Sequence, residues 1–399
     1  MPFSSDILVV GAGLGGALAA AVLGRAGFQV TVVDRYATYP QDFRAEQLVG
    51  PQIEVLRGFG LLDGIVRQTL AVPSATAACH GKVIDANAAV HYGLPYEDMV
   101  NATRSLAIGT QFVTGRVTRI ETGAGNQLVT LADGTSLTAR LVVLAAGLNC
   151  DALLRPLGID RATISVNHSL TFGFDIETSS RRILTYYGER VGDGIDYLTI
   201  FPFGSEMRAN LFCYRDPGDD WARSFKSRPK QAILEVMPQL EQVLGSFEVT
   251  GKVQARFNPI CRAENVRQAG IVLIGDAYQS SCPAVGSGIN RILSDVATLS
   301  RLAPEWFASP GMGADKIGRF YADQMKCQVD EKALCDARSR RELCLNASWD
   351  WRARRSLRFQ ARRTRSWLYE IARSLRPSSA VPSMPKASIG AFQSMSPEL

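Results

Sequence analysis

The strongest indication of the fold lies in residues 6–34, DILVVGAGLGGALAAAVLGRAGFQVTVVD. A short apolar strand comes first, and Gly11, Gly13 and Gly16 follow it at the spacing G-x-G-x-x-G. An Ala-rich helical pattern and a second apolar strand, which ends at Asp34, complete the unit. Because strand, glycine turn, helix and second strand occur in this order, the stretch predicts a βαβ unit that binds a dinucleotide.

Each glycine has its own physical role in such a unit. Gly11 permits the tight turn, Gly13 lets a pyrophosphate approach the backbone, and Gly16 lets the helix pack closely on the strand. The first turn of the helix supplies unpaired N–H groups and the positive end of the helix dipole. We therefore expect Leu14 and Gly15, at the start of the helix, to contact the cofactor together with the three glycines.

Asp34 lies 23 residues after Gly11, at the position where a carboxylate accepts hydrogen bonds from the ribose hydroxyls of the cofactor. Arg35, the next residue, is assigned to the same site. The negative charge of Asp34 would repel a 2′-phosphate, which argues against NADP at this position. The motif alone does not distinguish NAD from FAD.

A second stretch, GDAYQSSCPAVGSGIN at residues 275–290, places many small residues between an apolar strand and a helical pattern. Gly and Pro weaken the interior of any helix or strand. Such a composition is typical of a segment whose backbone lies against a molecule that is not protein.

These two stretches, together with Arg44 in the sequence FRAEQ, resemble the flavoprotein monooxygenases of the p-hydroxybenzoate hydroxylase fold. Arg44 resembles an early flavin-contacting Arg of that family. Residues 275–290 are similar to the family's Gly-Asp motif with its downstream Pro and Gly-x-Gly-x-Asn. The resemblance covers about residues 5–305 and implies FAD as the cofactor.

The resemblance also implies a role for parts of the second stretch. Gly275 and Asp276 would contact the ribityl chain, and Pro283 would lie beside the reactive edge of the isoalloxazine ring. Gly147, which follows an apolar strand, is assigned to the same cofactor site. The flavin N1/O2 edge becomes anionic on reduction, and backbone N–H groups at a helix start would stabilise it. The residues predicted to do so are Gly286, Ser287, Gly288 and Ile289, and Asn290 is assigned to the same cofactor site.

The order of the motifs predicts an α/β protein with a Rossmann-like FAD-binding domain, an inserted mixed β-sheet substrate domain and a C-terminal helical segment. Alternating strands that carry four of the eleven tyrosines separate the two motifs, which is the reason to expect an insertion. The predicted units are an FAD-binding domain at residues 1–78, 95–160 and 262–312, a substrate domain at 79–94 and 161–261, basic helices at 313–376, and a disordered tail at 377–399.

The composition excludes several other classes of protein. The chain has 399 residues, of which 46% are hydrophobic and 21% charged, as in an ordinary globular protein. Its eight Cys form no C-x-x-C pair and it has three His, so we expect neither a metal site nor a disulfide framework. We read no signal peptide and no transmembrane span, and we expect a cytoplasmic location.

The net charge of +6 comes from one segment, because residues 352–376 hold nine Arg and a single acid, Glu370. A charge confined to one terminal segment does not predict nucleic-acid binding. Two readings of the segment remain. The favoured one is a solvated helix face that caps the flavin domain, and the other is peripheral contact with an anionic membrane.

The resemblance implies a monooxygenase that transfers one oxygen atom from O2 to an electron-rich, aromatic or phenolic small molecule through a C4a-hydroperoxide of the flavin. NAD(P)H is the expected co-substrate and reductant, and it would dock transiently because no second glycine fingerprint occurs. Ala146 stands where relatives carry the Asp of an Asp-Gly motif associated with NAD(P)H use. An external flavin reductase therefore remains an alternative source of electrons.

The candidate catalytic residues are Pro283, Tyr187 and Tyr197. The two tyrosines lie on strands of the substrate domain, where alternation turns about half of the side chains toward the flavin. Packing in the core of that domain is the alternative for each tyrosine.

Two other functions stay open. An FAD-dependent reductase of the isoprenoid-saturating type shares the fold, and YLTIFP at residues 197–202 partly matches its Tyr-x-Trp-x-Phe-Pro motif. A flavin-binding protein without hydroxylase activity is the other, since several family motifs are altered. A flavin halogenase is discounted because WDW at residues 349–351 lies too late in the chain.

Overall fold

The computed structural model describes residues 3–69, 71–87, 89–203 and 206–374, so the predicted tail at 377–399 lies outside the described residues. The strands are β1 (Phe3–Val10), β2 (Val30–Asp34), β3 (Ala45–Leu48), β4 (Ala71–Val72), β5 (Ala75–Cys79), β6 (Lys82–Asn87), β7 (His91–Pro95), β8 (Gln111–Thr114), β9 (Val117–Glu121), β10 (Gln127–Leu131), β11 (Ser136–Leu144), β12 (Arg161–Thr178), β13 (Ile183–Tyr187), β14 (Ile195–Phe203), β15 (Glu206–Cys213), β16 (Phe247–Ala263) and β17 (Ile271–Leu273). The helices are α1 (Leu14–Arg25), α2 (Gly50–Gly58), α3 (Leu62–Ile65), α4 (Tyr96–Ser105), α5 (Asp151–Leu154), α6 (Asp220–Ser224), α7 (Pro229–Val236), α8 (Glu241–Leu244), α9 (Ser287–Phe307), α10 (Ala314–Tyr321), α11 (Gln324–Leu345) and α12 (Trp349–Ser374).

The first sheet is built on the N-terminal βαβ unit. Its strand order is β8-β2-β1-β11-β10-β9, and β17 pairs with β11 off this path. The central pairs β1–β2, β1–β11 and β11–β17 are parallel. Ile7 and Val9 pack into the core on one face while Leu8 and Val10 pack into the core on the other. Burial on both faces explains why β1 reads as an unbroken apolar run.

The second sheet has the order β16-β12-β15-β14-β13-β5-β6. It is antiparallel except where β13 pairs with β5. Helices α6, α7 and α8 cover one face, where Phe172 of β12 stacks on Phe225 with ring centroids 4.2 Å apart. The opposite face is shared between a cavity and the C-terminal helices. The prediction of an α/β fold with an inserted mixed sheet is confirmed.

A third, small sheet connects the other two and has the order β3-β7-β4. The second sheet takes in β5, which begins at Ala75, ahead of the predicted domain boundary at residue 79. Residues 91–95 form β7 and pair with β3 instead of joining the second sheet. The chain therefore enters the second sheet at residue 75, before the predicted boundary at residue 79, and has left it by residue 91, before the predicted boundary at residue 94.

The C-terminal helices pack on both parts of the molecule. Helix α11 lies against α9 and β14, and α12 lies against β6 of the inserted sheet. Phe359 of α12 meets the ring of Tyr187 edge-on at a centroid distance of 5.7 Å. The Arg-rich helix thus covers the inserted sheet, whereas the sequence favoured a cap on the flavin domain. Within residues 3–374, apart from the short gaps, no helix is long and apolar enough to cross a bilayer.

Candidate active site

The glycine turn after β1 excludes side chains at two of its three positions. Gly11 has a φ of +95°, and a Cβ there would lie 2.7 Å from the carbonyl oxygen of Ala145. A Cβ on Gly16 would lie 1.8 Å from the carbonyl oxygen of Gly11, so α1 needs glycine to pack this closely. No atom of the described residues lies within 4 Å of a Cβ placed on Gly13. The open space beside Gly13, at the N-terminus of α1, fits a phosphate group.

Asp34 is fixed by the turn that it faces. The backbone N–H of Ala12 donates to Asp34 Oδ2 at 2.7 Å, and that of Tyr36 donates to Oδ1 at 2.9 Å. Arg104 of α4 lies 3.5 Å from the same carboxylate and donates from Nε to the carbonyl of Ala12 at 2.7 Å. Arg35 is exposed, with its guanidinium 5.2 Å from the centroid of the Tyr36 ring. Arg104 was missed by the sequence analysis, since no motif surrounds it.

Arg44 is held at the site by an acid and two aromatic residues. Its Nε donates to Asp42 Oδ2 at 3.0 Å and its Nη2 to the Tyr39 hydroxyl at 2.8 Å. The guanidinium lies 3.7 Å from the centroid of the Tyr96 ring. Burial raises the pKa of Tyr39 to about 12, so this hydroxyl stays protonated at neutral pH. Arg44 therefore presents its donors in a fixed orientation, with Asp42 balancing its charge.

The Gly-Asp motif is pinned from behind by buried charges. Gly275 has a φ of +59°, and its N–H donates to Asp295 Oδ2 of α9 at 2.7 Å. Lys326 Nζ of α11 contacts Asp295 Oδ1 at 2.6 Å and Asp330 Oδ2 at 2.9 Å. Asp276, the next residue of the motif, is left facing the cavity. No sequence pattern revealed this support, because Gly275, Asp295 and Lys326 are distant from one another in the chain.

The start of α9 is open to a ligand. Gly286 has a φ of +69°, and no atom of the described residues lies within 4 Å of a Cβ placed there. A Cβ on Gly288 would meet only Ser281 Oγ, at 3.7 Å, among the described residues. The Oγ of Ser287 is buried and has no hydrogen-bond partner in the part of the chain that the structure describes. An orphaned hydroxyl beside free backbone N–H groups fits the acceptor-rich edge of a flavin.

A cavity of about 510 Å³ joins the two motifs. The predicted cofactor residues on its wall are Leu14, Arg44, Asp276, Gly286, Gly288 and Ile289, together with the predicted catalytic Pro283. Gly15 faces α9 instead, where an added Cβ would contact Ile292 at 3.7 Å. Asn290 accepts a hydrogen bond from Gln52 Nε2 at 2.9 Å, which ties α9 to α2. Gly147 has a φ of +72° and its neighbours Leu148 and Asn149 reach the wall.

The inserted sheet and β3 supply the opposite wall, which contains the side chains of Phe43, Glu46, Thr171, Asn210, Phe212, Arg256, Phe257 and Asn258. Arg256 is half-buried, and its guanidinium has no ion-pair or hydrogen-bond partner among the described residues. Glu46 likewise makes no side-chain hydrogen bond within the described chain. Burial raises the pKa of Glu46 to about 7, although Arg44 opposes the shift. The wall thus offers aromatic surface, amides, one cation that acts on Asp42 but makes no salt bridge within the described chain, and one carboxyl that titrates near neutrality.

The structure does not bring Tyr187 and Tyr197 to this cavity. Tyr197 lies opposite Phe212 in the β14–β15 pair, with ring centroids 4.8 Å apart, but only Phe212 reaches the wall. The Tyr197 hydroxyl donates to the carbonyl of Ala284 at 2.8 Å, and Tyr187 packs on Phe359. Both tyrosines lie under the C-terminal helices, which cover that part of the sheet. The prediction that they contact substrate is corrected accordingly.

Comparisons with known proteins agree with this site. The FAD binding domain family matches residues 4–303. A 6-hydroxynicotinate 3-monooxygenase of Bordetella bronchiseptica is 25% identical over 328 residues, covering 74% of this chain and 82% of the relative. A digeranylgeranylglycerophospholipid reductase of Methanococcoides burtonii is 24% identical over 343 residues, covering 79% and 78%.

Solved structures show the same architecture. The structure of p-nitrophenol 4-monooxygenase from Pseudomonas putida superposes with a TM-score of 0.73 at 17% identity, covering 93% of this chain and 98% of that one. A probable FAD-dependent monooxygenase from Pseudomonas aeruginosa superposes with a TM-score of 0.67 at 18% identity, covering 85% and 97%. These matches confirm the predicted flavoprotein fold and FAD as the cofactor, and the chain belongs to the FAD binding domain family.

Proposed function

We propose that this protein is an FAD-dependent monooxygenase that hydroxylates a phenol or another activated aromatic ring. The observation that carries the proposal is the continuity of the cavity. In it, Pro283 and Gly286 of the segment at residues 275–290, the flavin loop, face Phe212 and Arg256 of the inserted sheet. A relative and a structural neighbour that are named as monooxygenases of a hydroxynicotinate and a nitrophenol support it. Bound FAD supplies oxygen activation and electron transfer.

The chain's own residues bind and orient the substrate. Phe212 and Phe257 present apolar surface to a ring, while Asn210 and Asn258 limit its orientation by hydrogen bonding. Arg256, which lacks a partner in the described chain, would hold an anionic or acceptor group of the substrate. This wall suits a small polar ring better than an isoprenoid chain, so hydroxylation is favoured over the reductase alternative.

Glu46 is proposed to accept the proton of the substrate hydroxyl. Its carboxyl faces the cavity without a hydrogen-bond partner among the described residues. Burial raises the pKa of Glu46 to about 7, so this carboxyl can take up a proton near neutral pH. Transfer of the hydroxyl proton of a phenol to Glu46 makes the aromatic ring more electron-rich. In the overall reaction, substrate, O2, NAD(P)H and a proton give the hydroxylated product, water and NAD(P)⁺.

Product mass on the FAD-loaded protein tests the proposal. Phenols, hydroxylated aromatic acids and an isoprenoid lipid are offered with NADH or NADPH under ¹⁸O2. We expect an aromatic product that carries one labelled oxygen. An unlabelled product that has gained two hydrogens would establish the reductase instead. If no product forms either with a nicotinamide or with chemically reduced flavin, the protein would be a flavin-binding protein without hydroxylase activity. Product formed only after chemical reduction would assign electron delivery to an external reductase.

Arg256→Met is the variant that tests substrate orientation. We expect KM for an anionic substrate to rise about tenfold or more, as loss of a charge-assisted hydrogen bond requires. Lys252→Met is the matched control, because Lys252 is an exposed cation on the same strand. Equal KM values in Arg256→Met and Lys252→Met would show that Arg256 does not bind the substrate.

A further inference from the structure

Four arginines meet on the part of the inserted sheet that the C-terminal helices cover. Arg340 comes from α11, and Arg355, Arg358 and Arg362 come from one face of α12 at spacings of three and four residues. Arg340 lies with its guanidinium 4.9 Å from the centroid of the Tyr197 ring. The Arg362 guanidinium donates to the Tyr187 hydroxyl and lies 4.8 Å from that ring.

The carboxylate that pairs with this cluster is Asp196. It accepts from Arg340 Nε at 2.9 Å and from the Tyr214 hydroxyl at 3.2 Å, so its Oδ2 is already shared. The side chains of Arg355 and Arg358 make no ion pair and no hydrogen bond within the described residues, although the charge of Asp196 acts on both. The Nη2 of Arg358 is buried without an acceptor in that same part of the chain, and so is the Nε of Arg362.

An excess of confined positive charge is costly unless an anion joins it. Burial and the neighbouring charges of Arg340 and Arg362 lower the pKa of Arg358 to about 10, which is the expected consequence of this crowding. Arg355 and Arg358 are only half-buried, so a ligand can reach them from solvent. The guanidinium fork matches the oxygens of a phosphate, which can bridge two arginines at once.

We propose that Arg355, Arg358 and Arg362 form a binding site for a phosphate-type anion, which locks α12 onto the inserted sheet. The source of the phosphate is either the free ion or a nicotinamide dinucleotide, for which the chain has no second glycine fingerprint. The site is separate from the cavity, but Tyr197 connects the two. Tyr197 stacks under Arg340 and donates to Ala284, beside Pro283 of the flavin loop.

Thermal unfolding and calorimetry of the FAD-loaded protein test the site, with inorganic phosphate as the probe and chloride at matched ionic strength as the reference. We expect phosphate to raise the Tm of the wild-type protein and to bind in the calorimeter. Arg358→Gln should raise the Tm in chloride, because it removes a confined unpaired charge, and should weaken phosphate binding about tenfold or more. Arg352→Gln is the matched control, since Arg352 is exposed on the same helix and should leave both values unchanged.

The same variants identify the source of the anion. NADPH and NADH are titrated against phosphate-free protein in chloride, and the part of their affinity that Arg358→Gln removes is attributed to this site. Loss for NADPH alone would assign the 2′-phosphate, loss for both would assign the pyrophosphate, and loss for neither would assign the free ion. No phosphate effect beyond chloride in the wild type, or an equal phosphate effect in Arg358→Gln, would overturn the proposal.

Discussion

Replacing Lys326 with Met should be among the most damaging single changes to the stability of this protein. Lys326 is 1% exposed and lies 2.6 Å from Asp295 and 2.9 Å from Asp330. Arg291, also fully buried, pairs with Asp330 at 2.8 Å. The substitution leaves two carboxylates with one buried cation. Because an uncompensated buried charge costs much more than a pair contributes, we expect a loss of about 3–5 kcal/mol in the free energy of unfolding.

Lys332→Met is a control on the same helix. Lys332 pairs with Asp336 at 2.8 Å with the same spacing of four residues, but its side chain is 42% exposed. An exposed pair of this kind contributes about 0.3–0.5 kcal/mol. Chemical denaturation followed by tryptophan fluorescence compares the two variants with the wild type at the same FAD concentration. Similar losses in the two variants would refute the reasoning, since it rests on burial alone.

The stability loss of Lys326→Met should also depend on pH, because the buried groups around Lys326 titrate. Burial alone would lower the pKa of Lys326, but the charges of Asp295 and Asp330 outweigh burial and raise it. The stability that Lys326 contributes to the wild-type protein is therefore lost only as the pH rises through this raised pKa. Burial raises the pKa of Asp295 even with Lys326 present. Without Lys326 its carboxyl should take up a proton more readily as the pH falls. The deficit of Lys326→Met should therefore be smaller at pH 5 than at pH 8, and a deficit that grows on acidification would contradict this account.

Three further changes are informative. Gly16→Ala should weaken FAD binding at least about tenfold in a fluorescence titration, because the added Cβ would stand 1.8 Å from the carbonyl oxygen of Gly11, whereas Gly58→Ala, with no described atom within 4 Å, should leave FAD affinity unchanged. Glu46→Gln should abolish an increase in kcat/KM with pH centred near pH 7, since the wild-type carboxyl becomes a proton acceptor only above its pKa of about 7; an unchanged pH profile would exclude this role. Tyr197→Phe should lose one hydrogen bond, worth about 1 kcal/mol of stability, while KM stays unchanged because Tyr197 lies off the cavity wall; a large rise in KM would return it to the substrate site.

The turn and the strands that hold FAD could be predicted because their physics is local. Gly16 faces the carbonyl of Gly11, which is close to it in the chain, and Gly11 itself needs a positive φ for the turn, so the spacing of the two glycines carries the information. The apolar run of β1 follows from burial on both faces of a parallel sheet. The order of the two motifs then requires the chain to leave and rejoin one sheet, which is what β1, β11 and β17 do.

The residues that were missed act over long distances in sequence. Arg104 reaches Asp34 from a helix that shares no motif with it, and Lys326 reaches Asp295 from another. Helical or strand periodicity assigns a side chain to a face but does not say what covers that face. For this reason the alternation of β14 placed Tyr197 on the face of the sheet that holds the cavity, but one strand beyond the cavity wall.

The division of that sheet face also shows how the proposed anion site would be coupled to the cavity. Phe212 and Tyr197 are cross-strand neighbours, one on the cavity wall and the other between Arg340 and the flavin loop. A ligand that fixes the arginine cluster would fix Tyr197, and Tyr197 holds the carbonyl of Ala284. Since coupling between two binding sites is reciprocal, a flavin loop ordered by FAD must favour the anion as much as the anion favours the ordered loop. In this proposal the Arg-rich helix takes part in the conformational equilibrium of the flavin loop and is more than a charged surface.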